Sequence, residues 1–154
     1  MRVALYQPDI PQNTGTILRL AACLDVAAGI IEPAGFDLSS RALKRAALDY
    51  LDWVSITRWS TFEAFKDNAR AQGSRVVLLT TRAAEAYTSV EFKPSDILLT
   101  GRESAGVPAD VHAAADLRVR VPMRQDLRSL NVAVALAMVL GEALRQTGGF
   151  SRLA

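Results

Sequence analysis

The chain has 154 residues, half of them hydrophobic, one cysteine and a formal net charge of +2. That length supplies one sizeable core without room for a second full domain, so residues 1–154 read as a single domain. The lone Cys23 excludes an internal disulfide and a multi-cysteine zinc site, and no segment approaches the roughly eighteen unbroken apolar residues of a membrane span.

In chain order, RVALY (2–6) reads as the first strand, and its MRVALYQPDI setting lacks the features of a secretory leader, which points to a cytoplasmic protein. A helix follows behind a cap at Asn13 or Thr14, with Ile17, Leu20, Ala21 and Leu24 at helical spacing. Cys23, in the apolar run LRLAACL, reads as buried packing. AGIIE (28–32) is the second strand, 40–49 a helix, and WVSIT (53–57) the third strand. Ser60 with Glu63 makes a capping box for a helix that Gly73 stops. RVVLL (75–79), DILLT (96–100) and LRVRV (117–121) complete the strands, with a helix over 108–115 and a last one from about Leu130 to Gln146. Alternating strand and helix predicts an α/β fold, a mostly parallel sheet with helices on both faces.

Ligands of such sheets sit beyond the carboxyl ends of the strands, which selects the loops 7-QPDIPQNTGTILR-19, 80-TTRAAEA-86, 101-GRESAGVP-108 and 122-PMRQDLRSLN-131. The loop 101–108 is neither a P-loop nor a dinucleotide fingerprint. Its two glycines suit a plain strand-to-helix turn or a close backbone approach to a ligand, and physics alone leaves both open. Fifteen of the eighteen basic residues are arginine, a side chain suited to phosphate, although GC-rich coding gives the same composition. The last helix, LNVAVALAMVLG, is apolar around its circumference, which calls for burial on nearly every side and hence a homodimer. Trp53 and Trp59 suit base stacking or, more commonly at strand ends, the core.

Three segments in this order, PQNTGTILRLAA (11–22), LLTGRESAGVP (98–108) and VPMRQDLRSLNVAVALAMVL (121–140), resemble the three motifs of the SPOUT class of RNA methyltransferases. LYQPDIPQNTG, IIEPAGF, LKRAALDY and LTT further resemble its short subfamily, the tRNA (cytidine/uridine-34-2′-O)-methyltransferases. The resemblance implies a C-terminal deep trefoil knot that binds S-adenosylmethionine (S-adenosyl-L-methionine), a homodimer completing each site, and a tRNA anticodon stem-loop as partner. The implied reaction is 2′-O-methylation of the wobble pyrimidine, leucine isoacceptors being the implied tRNAs, with another tRNA or rRNA ribose as the alternative.

By motif position the resemblance assigns Leu79, Gly101, Val121 and Ser129 to cofactor contact and Met123 and Leu130 to the pocket wall. It assigns Arg19, Asn13, Glu103, Ser129 and Asn131 to catalysis, Asn13 and Arg19 facing the RNA. A guanidinium stays protonated at ordinary pH, so Arg19 reads as a phosphate clamp and alkoxide stabiliser rather than a base. Arg128, Arg124, Arg41 and Arg45, with Lys44, are the further candidates for RNA phosphates. The reaction needs no metal. Arg102 departs from the small residue that relatives often carry there.

Overall fold

The computed structural model describes residues 1–39 and 41–153. Six strands, β1 (Arg2–Tyr6), β2 (Ala27–Ile31), β3 (Ile56–Trp59), β4 (Val76–Leu79), β5 (Ile97–Thr100) and β6 (Leu117–Val119), form one sheet in the order β3-β2-β1-β5-β4-β6. Every neighbouring pair runs parallel. Among the described residues, α1 (Pro11–Cys23), α2 (Arg41–Ala47), α3 (Phe62–Ala71) and α4 (Ala109–Ala114) lie between strands, and α5 (Val132–Gln146) follows the last one.

The central strands β2, β1, β5 and β4 are largely aliphatic because both faces of the sheet are covered there, whereas the edge strand β3 is mostly exposed. Successive side chains alternate: Val3, Leu5, Val77 and Leu98 pack with Ile17, Leu18 and Ala21 of α1 and Leu136, Val139, Leu140 and Ala143 of α5. Ala4, Tyr6, Val76, Leu78 and Leu99 face the other way, against Phe65 and Ala69 of α3 and Val111 of α4. Asp96, fully buried at the entry to β5, takes two bonds from the Arg75 guanidinium at 2.9 and 2.8 Å. The pair pins the start of β4 beside that of β5, which lies between β4 and β1 at the centre of the sheet.

Several boundaries differ from those the sequence predicts. Helix α1 starts at Pro11, with Ile10 at the N-cap and no side-chain cap, because a proline at the first helical position has no N–H to satisfy and a preset φ. Neither Asn13 nor Thr14 therefore caps it: Thr14 is fully buried, and the Asn13 side chain is released for other bonds. Thr61, not Ser60, caps α3, its hydroxyl accepting the Ala64 N–H at 3.1 Å. Gly73, at φ +64, ends that helix as expected.

Residue 40, where the second helix was expected to begin, lies outside the described residues. After Ala47 the chain tightens into a 3₁₀ turn (Leu48–Trp53), which pushes β3 three residues later than WVSIT suggests and leaves Trp53 79% exposed, not in the core. Trp59 instead packs edge-on against Phe65. Cys23 is exposed, since it lies off the inward stripe of Thr14, Ile17, Leu18 and Ala21. The sixth strand stops at Val119, so Val121 leaves the ladder, and Leu130 precedes α5 rather than opening it. That last helix buries one face, while Val134 and Met138 are 50% and 41% exposed, so in a single chain it is not covered all round.

Candidate active site

The loops after β4, β5 and β6 close on one another and on the starts of α1 and α5. They enclose a cavity of about 650 Å³, within the range of about 300–1,000 Å³ usual for small-molecule sites. Its wall includes all six residues expected to touch the cofactor, Leu79, Gly101, Val121, Met123, Ser129 and Leu130. Asn13, Glu103 and Asn131 also line it, so four of the five expected catalytic residues meet there.

The loop after β5 is a tight turn in its own right. Arg102 and Gly106 exchange both backbone bonds, at 2.9 and 2.8 Å, and a Cβ on Gly101 would lie 2.7 Å from the Gly106 carbonyl carbon. The first glycine is thus required by the second, which itself sits at φ +64. That turn presents Glu103 to the start of α1.

A hydrogen-bonded chain runs along the rim. Asn131 caps α5, its Oδ1 accepting the N–H groups of Ala133 (2.9 Å) and Val134 (3.3 Å). Its Nδ2 therefore faces outward and donates to Asn13 Oδ1 at 2.9 Å. Asn13 in turn donates through Nδ2 to Glu103 Oε1 at 3.3 Å. The Asp9 N–H donates to Glu103 Oε2 at 3.0 Å, and the Glu103 N–H donates back to Asp9 Oδ1 at 3.1 Å. One residue from each of the three motifs is thereby tied to the next. Burial pushes the Glu103 carboxyl above the usual carboxylate range, while bonds from Glu103 and Ser104 hold Asp9 down to about 2.

Arg19 is not brought to the cavity of its own chain. It lies six residues beyond Asn13, turned roughly 240° around the helix, and its guanidinium rests 4.9 Å over the Tyr50 ring. Arg124 and Arg128 are exposed on the loop before α5, Arg124 standing 3.7 Å from Asp126. Arg41, Lys44 and Arg45 form the exposed face of α2, whose Leu43 and Ala47 turn inward. None of these cations lines the cavity.

Thr80, Thr81 and Arg82 line it without having been singled out, although they belong to the 80–86 loop that the strand-end rule selects. Asp9 was not singled out either, although it lies in the 7–19 loop that the same rule selects. The cavity suits S-adenosylmethionine. Leu79, Val121, Met123 and Leu130 offer an apolar slot for a planar base, Thr80, Thr81 and Asn131 offer polar partners, and the Glu103 carboxylate complements a sulfonium charge.

Comparison with known proteins gives the same picture. The SpoU rRNA methylase family model matches residues 1–141. A tRNA (cytidine(34)-2′-O)-methyltransferase from Beijerinckia indica is 60% identical over 98% of this chain and 94% of its own. A structure solved for the 2′-OH methylation of C/U34 on tRNA superposes with a TM-score of 0.90 at 41% identity, covering 94% of both chains. The SpoU methyltransferase AviRb from Streptomyces viridochromogenes, solved with the cofactor AdoMet, has a TM-score of 0.85 at 26% identity over 95% of this chain and 60% of its own. The parallel sheet is that of the SPOUT α/β-knot fold, and with its three motifs joined around one cavity the chain belongs to the SpoU family of RNA methylases.

Proposed function

We propose that this protein methylates the ribose 2′-hydroxyl of the wobble pyrimidine, position 34, of tRNA, using S-adenosylmethionine. The observation that carries this reading is the Asn131–Asn13–Glu103 chain, which brings polar residues of all three motifs to the rim of one cavity. Near-full-length similarity to a cytidine-34 enzyme supports the choice of nucleotide. Leucine isoacceptors are the first tRNAs to test, and the cytoplasm is the compartment we assign.

S-adenosylmethionine supplies a methyl group activated by its sulfonium. The protein holds the donor and the ribose oxygen in line, and positioning of this kind lowers barriers by several kcal/mol, up to about 7–11 in model systems. The aliphatic residues Leu79, Val121, Met123 and Leu130 exclude water from one wall, and Asn13, Asn131 and Glu103 fix the polar edge. Ser129 lies on the rim beside Leu130.

The active unit is a homodimer. Leu130, Val134 and Met138 are spaced by four residues and are 39%, 50% and 41% exposed, an apolar stripe that runs from the cavity rim along α5. Ile10, 40% exposed, extends it at the start of α1. A second copy covering this stripe lets Arg19 of one subunit serve the cavity of the other, where it clamps phosphate or stabilises the forming alkoxide. Arg41, Arg45, Arg124 and Arg128 line the approach of an anticodon stem-loop, with the exposed Trp53 offering a face for a base.

The test is incubation of the purified protein with labelled S-adenosylmethionine and unmodified tRNA, then nuclease digestion and mass spectrometry. A 2′-O-methylated pyrimidine mapping to position 34 is expected. A methyl group on another ribose keeps the reaction class and rejects the nucleotide.

A further inference from the structure

Asp9 lies outside the three motifs, yet it makes more bonds to the second motif than any of their own residues. Its Oδ1 accepts the Glu103 N–H at 3.1 Å, its Oδ2 accepts the Ser104 hydroxyl and stands 3.6 Å from Arg102 Nε, and its N–H donates to Glu103 Oε2 at 3.0 Å. Asp9 and Glu103 are clasped head to tail, each backbone N–H bonded to the other's carboxylate. The Glu103 side chain is thus held in one orientation from both ends.

The amide directions decide what Glu103 does there. Asn131 Oδ1 is committed to the start of α5, so Asn13 receives a proton from Asn131 and must turn its own Nδ2 to Glu103. Asn13 and the Asp9 N–H each donate to one Glu103 oxygen, the Asp9 carboxyl lies within hydrogen-bonding reach of the Glu103 carboxyl, and a carboxylate oxygen has two lone pairs. Lone pairs beyond those bonds remain on the Glu103 carboxyl, and Glu103 lines the cavity.

The charged groups around it are few among the described residues. Asp9 comes from the loop after β1, Arg102 stands on Asp9 rather than on Glu103, and Arg82, from the loop after β4, donates to the Val107 carbonyl at 3.3 Å. Tyr6 lies at the end of β1 near Arg102, while α1 and α5 present only Asn13 and Asn131.

We propose that Asp9 is a positioning residue that holds Glu103 as the base for the attacking 2′-hydroxyl. This rests on the methyl transfer proposed above. The hydroxyl O–H bond breaks and its proton passes to a Glu103 oxygen. The ribose oxygen forms its bond to the methyl carbon as the carbon–sulfur bond breaks, and that electron pair leaves with sulfur as S-adenosylhomocysteine. Arg19 is already protonated and cannot take this role.

The electrostatics agree in direction. Burial first, then the neighbouring Asp9 carboxylate, raises the affinity of Glu103 for a proton, while Asp9, held down to about 2, stays charged through the working range. A base poised nearer to the working pH accepts a proton more effectively. Asp9→Asn removes the carboxylate that accepts the Glu103 proton in a hydrogen bond, so Glu103 should then titrate at lower pH.

The experiment uses the full-length protein and two readouts. ¹³C NMR follows the Glu103 carboxyl against pH in the ligand-free wild type and in Asp9→Asn. Single-turnover methyl transfer is followed against pH for both, and for Glu103→Gln and Glu103→Asp, with S-adenosylmethionine affinity measured by calorimetry in each. Asp9→Asn is expected to move the Glu103 titration and the acid limb of the rate profile to lower pH together. Glu103→Gln should lose about a hundredfold or more in rate while still binding S-adenosylmethionine, and Glu103→Asp should recover part of it.

A rate that survives Glu103→Gln overturns the base. An Asp9→Asn profile lowered equally at every pH, with the titration unmoved, reduces Asp9 to a structural role and overturns the proposal. If no variant, wild type included, methylates position 34, the function above falls, and an unmoved Glu103 titration still rejects the clasp.

Discussion

Asn131 performs two tasks that substitution can separate. Its Oδ1 caps α5 and its Nδ2 orients Asn13. Asn131→Ala should lose both, at a cost of about 1 kcal/mol in urea unfolding from the cap alone, together with most of the methyl transfer. Asn131→Asp keeps an acceptor for the helix and loses the donor, so its stability should stay within about 0.5 kcal/mol of wild type while activity still falls. Full activity retained in Asn131→Asp would assign Asn131 to the helix alone. At this scale Asn13, Glu103 and Asn131 were legible through the motif positions that the family resemblance assigns, in loops that the strand-end rule also selects. Asp9 was not, since its partner lies 94 positions away and nothing local distinguishes a clasp from a turn.

Between elements the approaches are close enough to be tested by single atoms. A Cβ on Gly15 would lie 2.3 Å from the Ala46 Cβ and 2.8 Å from the Ala47 nitrogen, so this glycine lets α1 rest against α2. Gly15→Ala should destabilise by about 1–3 kcal/mol, and adding Ala46→Gly should recover part of that by clearing the nearest contact, less the cost of a glycine within α2. Calorimetric melting of the two single variants and the double checks the coupling. Asp96→Ala strands the Arg75 guanidinium that held the entries of β4 and β5. Arg75 keeps 31% of its side chain in water, so a loss near the lower end of about 3–5 kcal/mol is expected on chemical denaturation. The central strands were legible as aliphatic runs because a sheet covered on both faces needs little else. The start of α1 was missed because Pro11 supplies what a polar cap would, and β3 because the 3₁₀ turn uses up Leu48–Trp53 first.

The whole molecule poses the question that the sequence pattern only half contained. Apolar residues around α5 called for more cover than one chain gives, and the structure locates the deficit at Leu130, Val134 and Met138. The knotted path was legible only through family resemblance, because local periodicity carries no information on how a chain crosses itself. The paired change Val134→Glu with Met138→Glu puts charge on the stripe without entering the core. It should give a folded monomer by sedimentation velocity, with methyl transfer lost, whereas a variant that stays dimeric would place the interface elsewhere. The distance of Arg19 from its own cavity makes a stronger test possible. If Arg19 acts across a two-fold interface, a dimer mixed from Arg19→Ala and Asn131→Ala subunits carries both lesions in one site and none in the other. Random pairing of the two inactive proteins should then restore roughly a quarter of wild-type activity. Were Arg19 to act within its own chain, each site of every mixed dimer would still carry one lesion, and mixing would restore nothing.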